Sequence, residues 1–422
     1  MWTDLNCMDQ DKSEVYLERS KPLPINLFVD REYSPLLHDP FCQIIPLAIG
    51  RLRSLTVRAT PKSLQNIIAH LSHPAPFVEE LSIHGGCDYE LHRNPVVTPT
   101  LFDGDLSSLR MLCLEYVRTE LPWRNMINLT SFVLTNTAPG EVTVEHLLDF
   151  FESAPNLRKV DLHNVAPTSS SQNERLVSLP CLKWMWTSDS DPPFPLLDHL
   201  LIPAGAHLQT DVERVVLPTG TRPRFLDNLG NLPNFTSIRF VAQYLRMEFS
   251  GPNGKVTMNL ADSPVGDGCS VFGSLAWLDT SKTERLQFVG ADPRPSDLYC
   301  VLLPMNDLRT LTLHKCRSPH IPIQALHPGM WSPSEIVVCP KLEELIVHLK
   351  SGGEGINIQE VIRTLAARAS RGAKLRTVRI IDGHTKPKVD PVDVLELRKH
   401  AWCVEYGPEA GMVTRKTEER RL

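Results

Sequence analysis

The sequence predicts an α/β fold, a leucine-rich-repeat-like solenoid bent into a horseshoe, with one parallel sheet lining its concave face and helices or loops on its convex face. Three observations predict it. An apolar triplet of fixed internal spacing recurs along most of the chain, its irregular copies lie a few tens of residues apart, and several of the segments between copies carry helical periodicity.

The triplet is an apolar residue, two variable residues, a second apolar residue, one variable residue and a third apolar residue. It occurs at Leu52/Leu55/Val57, Val78/Leu81/Ile83, Leu109/Leu112/Leu114, Leu129/Phe132/Leu134 and Leu157/Val160/Leu162. Further copies stand at Val212/Val215/Leu217, Phe235/Ile238/Phe240, Leu308/Leu311/Leu313, Leu342/Leu345/Val347 and Leu375/Val378/Ile380, with weaker ones at Leu182/Met185 and Leu286/Phe288. Most successive copies lie ~20 to 34 residues apart, which is the period of leucine-rich repeats rather than of propeller blades or helical pairs. On a strand, the last two apolar residues of a copy point to one side and their neighbours to the other. Such a strand cannot bury its apolar face alone, so the copies are expected to stack.

The elements follow in order. Residues 1–48 precede the first copy and are expected to form a separate N-terminal segment, with the repeats spanning 49–406. Thr60-Pro61 supplies a cap and a first-turn proline for a helix with Leu64, Ile67, Ile68 and Leu71 on one stripe. Val144 to Ser153 repeats that arrangement with Leu147, Leu148 and Phe151, and Ala154-Pro155 ends it. Residues 244–260 read as a β-hairpin inserted in the solenoid, because two β-like runs flank Gly251-Pro252-Asn253-Gly254. Asn357 with Glu360 is a capping-box signature, and Asp390-Pro391 opens a last helix through His400. Residues 407–422 read as a charged, flexible tail.

Composition narrows the function classes. A net charge of −5 and a pI near 6.3 supply no basic footprint, so no nucleic acid is expected as a partner. The ten cysteines are scattered without a C-x-x-C pair, which argues against zinc sites and disulfide frameworks and for a reducing compartment, cytoplasmic or nuclear. No apolar run reaches the length of a membrane span. The glycines at Gly352, Gly353 and Gly355 lack the lysine and hydroxyl residue of a phosphate loop, and no nucleophile elbow, zinc signature or dinucleotide fingerprint is present. The expectation is a binding protein rather than an enzyme, without metal or cofactor.

In a solenoid of this kind the outward strand residues line the concave face, where a protein partner binds. The strand phase places there His84, Glu115, Asp161, His163, Trp184, Trp186, Arg239, Gln287, His314, His348 and Arg379. Trp184 and Trp186 straddle Met185, and aromatic residues commonly make binding hot spots. The four histidines fall on different repeats, so they are expected to stay apart rather than share a metal. Arg368, Arg371, Lys374, Arg376 and Arg379 read as a solvated basic helix end.

The chain also resembles a family in its ordered phrases. Val15 to Ser20 followed by Pro24-Ile25-Asn26-Leu27, then Leu64 to Leu71, Ala75-Pro76, Glu79-Glu80-Leu81, Asn128-Leu129-Thr130 and Ala154-Pro155-Asn156-Leu157, is similar to the large F-box family of mushroom-forming fungi. The resemblance covers nearly the whole chain. It implies the substrate-recognition region of an F-box subunit of a cullin-RING (SCF) ubiquitin ligase. Met1 to Leu5 resembles the last residues of an F-box, whose docking helices are missing, so a Skp adaptor is an implied partner only where an F-box lies upstream. A non-ligase leucine-rich-repeat scaffold or decoy is the alternative.

Overall fold

The computed structural model describes residues 4–6, 10–31, 41–86, 96–98, 100–121, 123–137, 141–165, 167–168, 175–189, 194–212, 235–241, 246–252, 254–260, 279–291, 293–316, 318–331, 336–349, 356–382 and 389–407. It is a mixed α/β structure dominated by parallel strands. The chain divides into two compact units. One is Met1–Glu213 with Asp227–Gly230, and the other is Arg214–Leu226 with Asn231–Leu422.

In the first unit the sheet strands are β1 (Asp4–Asn6), β2 (Ile25–Arg31), β3 (Leu52–Ala59), β4 (Glu80–Gly85), β5 (Met111–Glu115), β6 (Ser131–Thr135), β7 (Lys159–His163), β8 (Trp184–Asp189) and β9 (His207–Val212). Each pairs in parallel with the next, so spatial order equals chain order. The sheet therefore begins inside residues 1–48, which the repeat pattern had set apart. Ile25, Leu27 and Val29 alternate and are fully or almost fully buried, and Leu5 pairs with Leu27. Asp4 and Leu5, likened above to the end of an F-box, are strand residues.

Two inward ladders run across this sheet. Leu5, Leu27, Leu55, Leu81, Leu112, Phe132, Val160, Met185 and Leu208 form one, and Val29, Val57, Ile83, Leu114, Leu134, Leu162, Thr187 and Thr210 the other. Each fully buried aliphatic or aromatic side chain contributes roughly 1.5–3 kcal/mol relative to exposure. Thr187 and Thr210 explain why β8 was a weak copy and β9 was misplaced. A polar residue stands where the pattern demands an apolar one, so the sequence reading put the copy at Val212/Val215/Leu217. The inward residues are Leu208 and Thr210, seven positions before Val215 and Leu217, which lie outside the described residues.

In copies such as Leu109, Leu129 and Leu157 the first apolar residue precedes the strand, whereas Leu52 and Leu375 begin theirs. Where it precedes the strand it closes a tight turn, as in Leu109 N–H to Leu106 O at 3.0 Å, Leu129 to Met126 at 3.0 Å and Leu157 to Ala154 at 3.2 Å. One carbonyl then receives two successive N–H groups of the next strand: Glu79 O accepts from Arg110 and Met111, and Arg110 O accepts from Thr130 and Ser131. At the far end, Tyr116, Asn136 and Asn164 follow their strands with φ of 52°, 54° and 52°. Asparagine tolerates this left-handed region better than most residues. Their N–H groups bond Thr135 O, His163 O and Ser188 O, and Asn164 Nδ2 donates to Asn136 Oδ1 at 2.8 Å.

The return segments include α1 (Gln10–Arg19), α2 (Phe41–Ala48), α3 (Pro61–Ala69), α4 (Val144–Ser153) and α5 (Phe194–Leu197). The α3 and α4 helices start as the sequence predicts, with the Thr60 side chain accepting from Ser63 N–H and Thr143 from His146 N–H at 3.1 Å. Phe150 packs against Phe132 with ring centroids 4.3 Å apart, so α4 covers the inward ladder. Thr143→Ala should cost ~1 kcal/mol and lower the melting temperature by ~2–4 °C, read by thermal unfolding.

The second unit holds β10 (Ser237–Val241), β11 (Arg246–Ser250), β12 (Lys255–Leu260), β13 (Arg285–Val289), β14 (Thr310–Cys316), β15 (Glu344–Leu349), β16 (Leu375–Asp382) and β17 (Ala401–Gly407). β10 pairs in parallel with β13, and β13 to β17 continue in parallel in chain order. The hairpin expected over 244–260 is β11 and β12. It is built into the sheet, because β11 also pairs antiparallel with β10. The helices are α6 (Pro295–Leu302), α7 (His320–Gln324), α8 (Ile358–Ser370) and α9 (Pro391–His400). Asn357 caps α8 by accepting from Glu360 N–H at 3.4 Å, and Asp390 caps α9 by accepting from Val392 N–H at 2.8 Å. Of the tail, only Gly407 is described, and the glycines of 352–355 lie outside the described residues.

Candidate functional site

His84, Glu115, Asp161, His163, Trp184, Trp186, Arg239, Gln287, His314, His348 and Arg379 alternate with buried residues on their strands. On the first unit the outward positions form three lanes in register. One runs Asn26, Ser54, Glu80, Met111, Ser131, Lys159, Trp184, His207, and the next runs Phe28, Thr56, Ser82, Cys113, Val133, Asp161, Trp186, Gln209. The third contains Asp30, Arg58, His84, Glu115, Thr135, His163, Ser188 and Asp211. Adjacent lane members sit about 4.8 Å apart, the strand spacing, so neighbours interact directly.

Three of them make a hydrogen-bonded chain. Glu115 Oε2 accepts from His84 Nδ1 at 2.6 Å, and His84 Nε2 lies 2.7 Å from Ser82 Oγ. The carboxylate fixes the proton on Nδ1, which leaves Nε2 to accept from the serine hydroxyl. This is the relay order of a serine hydrolase, but β4 is flanked by strands on both sides. Its backbone N–H groups are committed to the ladder and offer no oxyanion donor. Cys113 lies beside Ser82 as its register partner. Burial pushes its thiol up, Glu115 and Asp161 add to that, and the opposing influences of Ser82 and Lys159 do not reverse it.

Further along, Trp184 and Trp186 stand either side of Met185, which is fully buried, and their rings meet edge-on with centroids 6.2 Å apart. Both are partly exposed. Trp186 Nε1 donates to Asp211 Oδ2 at 2.6 Å, and the His163 ring is 5.3 Å from the Trp186 ring. Lys159 Nζ sits 5.3 Å above the Trp184 ring, a cation–π contact. Asp161 is the register partner of Trp186, and its Oδ1 is buried without a hydrogen-bond partner. Desolvation raises its carboxyl above the ordinary value, and the opposing influences of Lys159 and His163 do not cancel that.

The second unit's outward face is differently charged. Glu248 is ringed by Arg246 at 2.8 Å, Lys255 at 3.2 Å and Arg239 at 3.7 Å. Burial alone would raise this carboxyl, but the hydrogen bond and charge of Lys255, with Arg246 and Arg239, outweigh burial and hold it low. Gln287 is the register partner of Arg239. Arg379 bridges Glu405 at 3.0 Å and Glu344 at 3.4 Å.

Two expectations are corrected here. His314 and His348 were expected on separated rungs, yet they are register partners on β14 and β15 with ring centroids 4.6 Å apart. The strands between the other histidines misled the reading, since adjacent copies in sequence are adjacent rungs. Among the described residues no group of three or more His, Cys, Asp or Glu side chains is gathered as a metal ion would require. The basic cluster is also dispersed. Arg368 is fully buried, Arg379 is ion-paired on the strand face, and Lys374 lies 4.8 Å above the Trp402 ring. The periodicity of α8 could have shown this, because Arg368 follows Val361 and Leu365 on the apolar stripe. Sequence reading missed Asp211, since β9 was misplaced, and Phe28, since β2 was not recognised.

No protein-family model matches the chain, and no curated protein matches it. No helix among the described residues is long and apolar enough to cross a membrane.

Proposed function

We propose that the chain is a partner-binding repeat protein, an irregular leucine-rich-repeat-like solenoid that holds a protein on its strand face. The observation that carries this reading is the series of in-register outward lanes. Alternate residues of every parallel strand are spent on a wide surface bearing Trp184, Trp186, His84, His163 and paired charges rather than on the core. Extended strand surfaces of stacked repeats are suited to binding polypeptides, and no assembled catalytic site competes with that use among the described residues. The resemblance to the fungal F-box family adds the class of role: substrate recognition for a cullin-RING ubiquitin ligase.

The test is site-resolved photocrosslinking in the native cell. A crosslinking amino acid is placed at outward positions Thr56, Val133, Gln287 or Thr312 and, as controls, at Gln65 and Arg363 on the helices. Crosslinks from the outward positions and none from the helices are expected. Recovery of a Skp adaptor and a cullin with the chain assigns it to a ligase, and a face-bound partner without them supports a scaffold or decoy. Crosslinks only from the helices overturn the proposal.

A further inference from the structure

The charged residues of the first unit's strand face are unevenly matched. Asp4, Asp30, Glu80, Glu115, Asp161 and Asp211 stand on these strands with Arg53, Arg58 and Lys159, and Arg53 is ion-paired to Glu79 at 3.1 Å. On the second unit's strands the balance reverses, with Arg239, Arg246, Lys255, Arg285 and Arg379 against Glu248, Glu344 and Glu405. Excess carboxylate on one face selects partners by charge complementarity.

The acidic face also has an aromatic centre. Lys159 shows that a cation is accepted on this tryptophan pair, since its ammonium already lies over Trp184. Trp186 has no such cation among its described contacts. It stands between Asp161, its register partner, and Asp211, which accepts its indole N–H. Asp161 Oδ1 is buried without a hydrogen-bond partner, and the His163 ring lies 5.3 Å from that of Trp186. A tryptophan face bordered by carboxylates suits an arginine or lysine side chain, which gains cation–π attraction and a charge-assisted hydrogen bond together.

We propose that the strand face of the first unit binds a basic polypeptide segment, with one arginine or lysine side chain seated over Trp186 beside Asp161. This rests on the reading of the strand faces as partner surfaces. The occupant is a protein segment rather than a free small cation, because the carboxylates are spread over several strands, from Asp30 on β2 to Asp211 on β9, as an extended chain would need.

The test uses the full chain and short fluorescein-labelled peptides of three kinds: arginine- and lysine-rich, glutamate-rich, and neutral. The basic peptide alone is expected to bind, more weakly as salt rises. Asp161→Asn and Trp186→Leu should each weaken it by about tenfold, while Gln65→Ala on α3, away from the strand face, leaves it unchanged. Asp161→Asn should at the same time raise the melting temperature, since it removes a desolvated charge, so lost binding there cannot be ascribed to misfolding. Binding of the acidic or neutral peptide in preference, or basic-peptide binding indifferent to Asp161→Asn and Trp186→Leu, overturns the inference. If photocrosslinks still form at Thr56 and Val133 in that case, the partner-surface reading stands and only the basic occupant falls; with no crosslinks there, both fall.

Discussion

Replacing Arg368 with alanine is expected to cost ~3–5 kcal/mol, the largest single loss in the second unit. Its side chain is fully buried on α8, and its guanidinium donates to Val338 O at 2.6 Å and Cys339 O at 3.0 Å. Those carbonyls lie in the turn that leads into β15, so one cation fastens the helix to the turn behind the sheet. Burial pulls the guanidinium down to about 10, which still leaves it protonated at neutral pH. Cys339, whose thiol burial pushes up to about 12, stays neutral beside it and donates to Leu302 O at 3.4 Å. Alanine takes the donor from Val338 O and one of two from Cys339 O, which keeps Leu342 N–H at 3.0 Å, and opens a cavity. Arg368→Met restores most of the volume but not the donors, so urea unfolding should place it between alanine and the wild type. Wild-type stability in Arg368→Met would show that the carbonyl contacts contribute nothing net.

A comparable loss is expected from Gly85→Ala at the end of β4. A β-carbon there would lie 2.1 Å from the backbone oxygen of Tyr116, so strand ends must separate to admit it. Overpacking of this kind costs ~1–3 kcal/mol, and a clash with backbone places it at the upper end. The neighbouring Gly86→Ala is the internal control, because its nearest contact would be 3.5 Å, ordinary van der Waals distance. Thermal unfolding of the two variants should differ by ~4–8 °C or more in the first unit if the clash is real. Equal melting temperatures would reject it.

The parallel strands were legible because most inward positions obey a two-residue alternation that the ladder imposes, as at Leu55 and Val57 or Leu311 and Leu313. It failed where chemistry and pattern part. Thr187 and Thr210 hold inward places with buried hydroxyls, which broke the triplet and displaced β9 by several residues. The α3 helix was legible through Thr60, whose cap acts locally, and α4 through the stripe of Leu147, Leu148 and Phe151 and its stop at Ala154-Pro155. The outward lanes were legible from strand phase alone, whereas what joins across them was not. The Ser82–His84–Glu115 chain, the Trp186–Asp211 bond and the closeness of His314 to His348 all depend on which strands are neighbours. So does the fate of Arg368, whose carbonyl partners lie 29 and 30 residues away in sequence.

The two main-chain devices at the strand ends, the carbonyl that takes two N–H groups and the left-handed residue that hands its N–H to the next strand, use no outward side chain. Register is thus inherited from the backbone and the inward ladder, while the lanes are free to drift. Outward residues can therefore be exchanged one strand at a time while the strands keep their pairing.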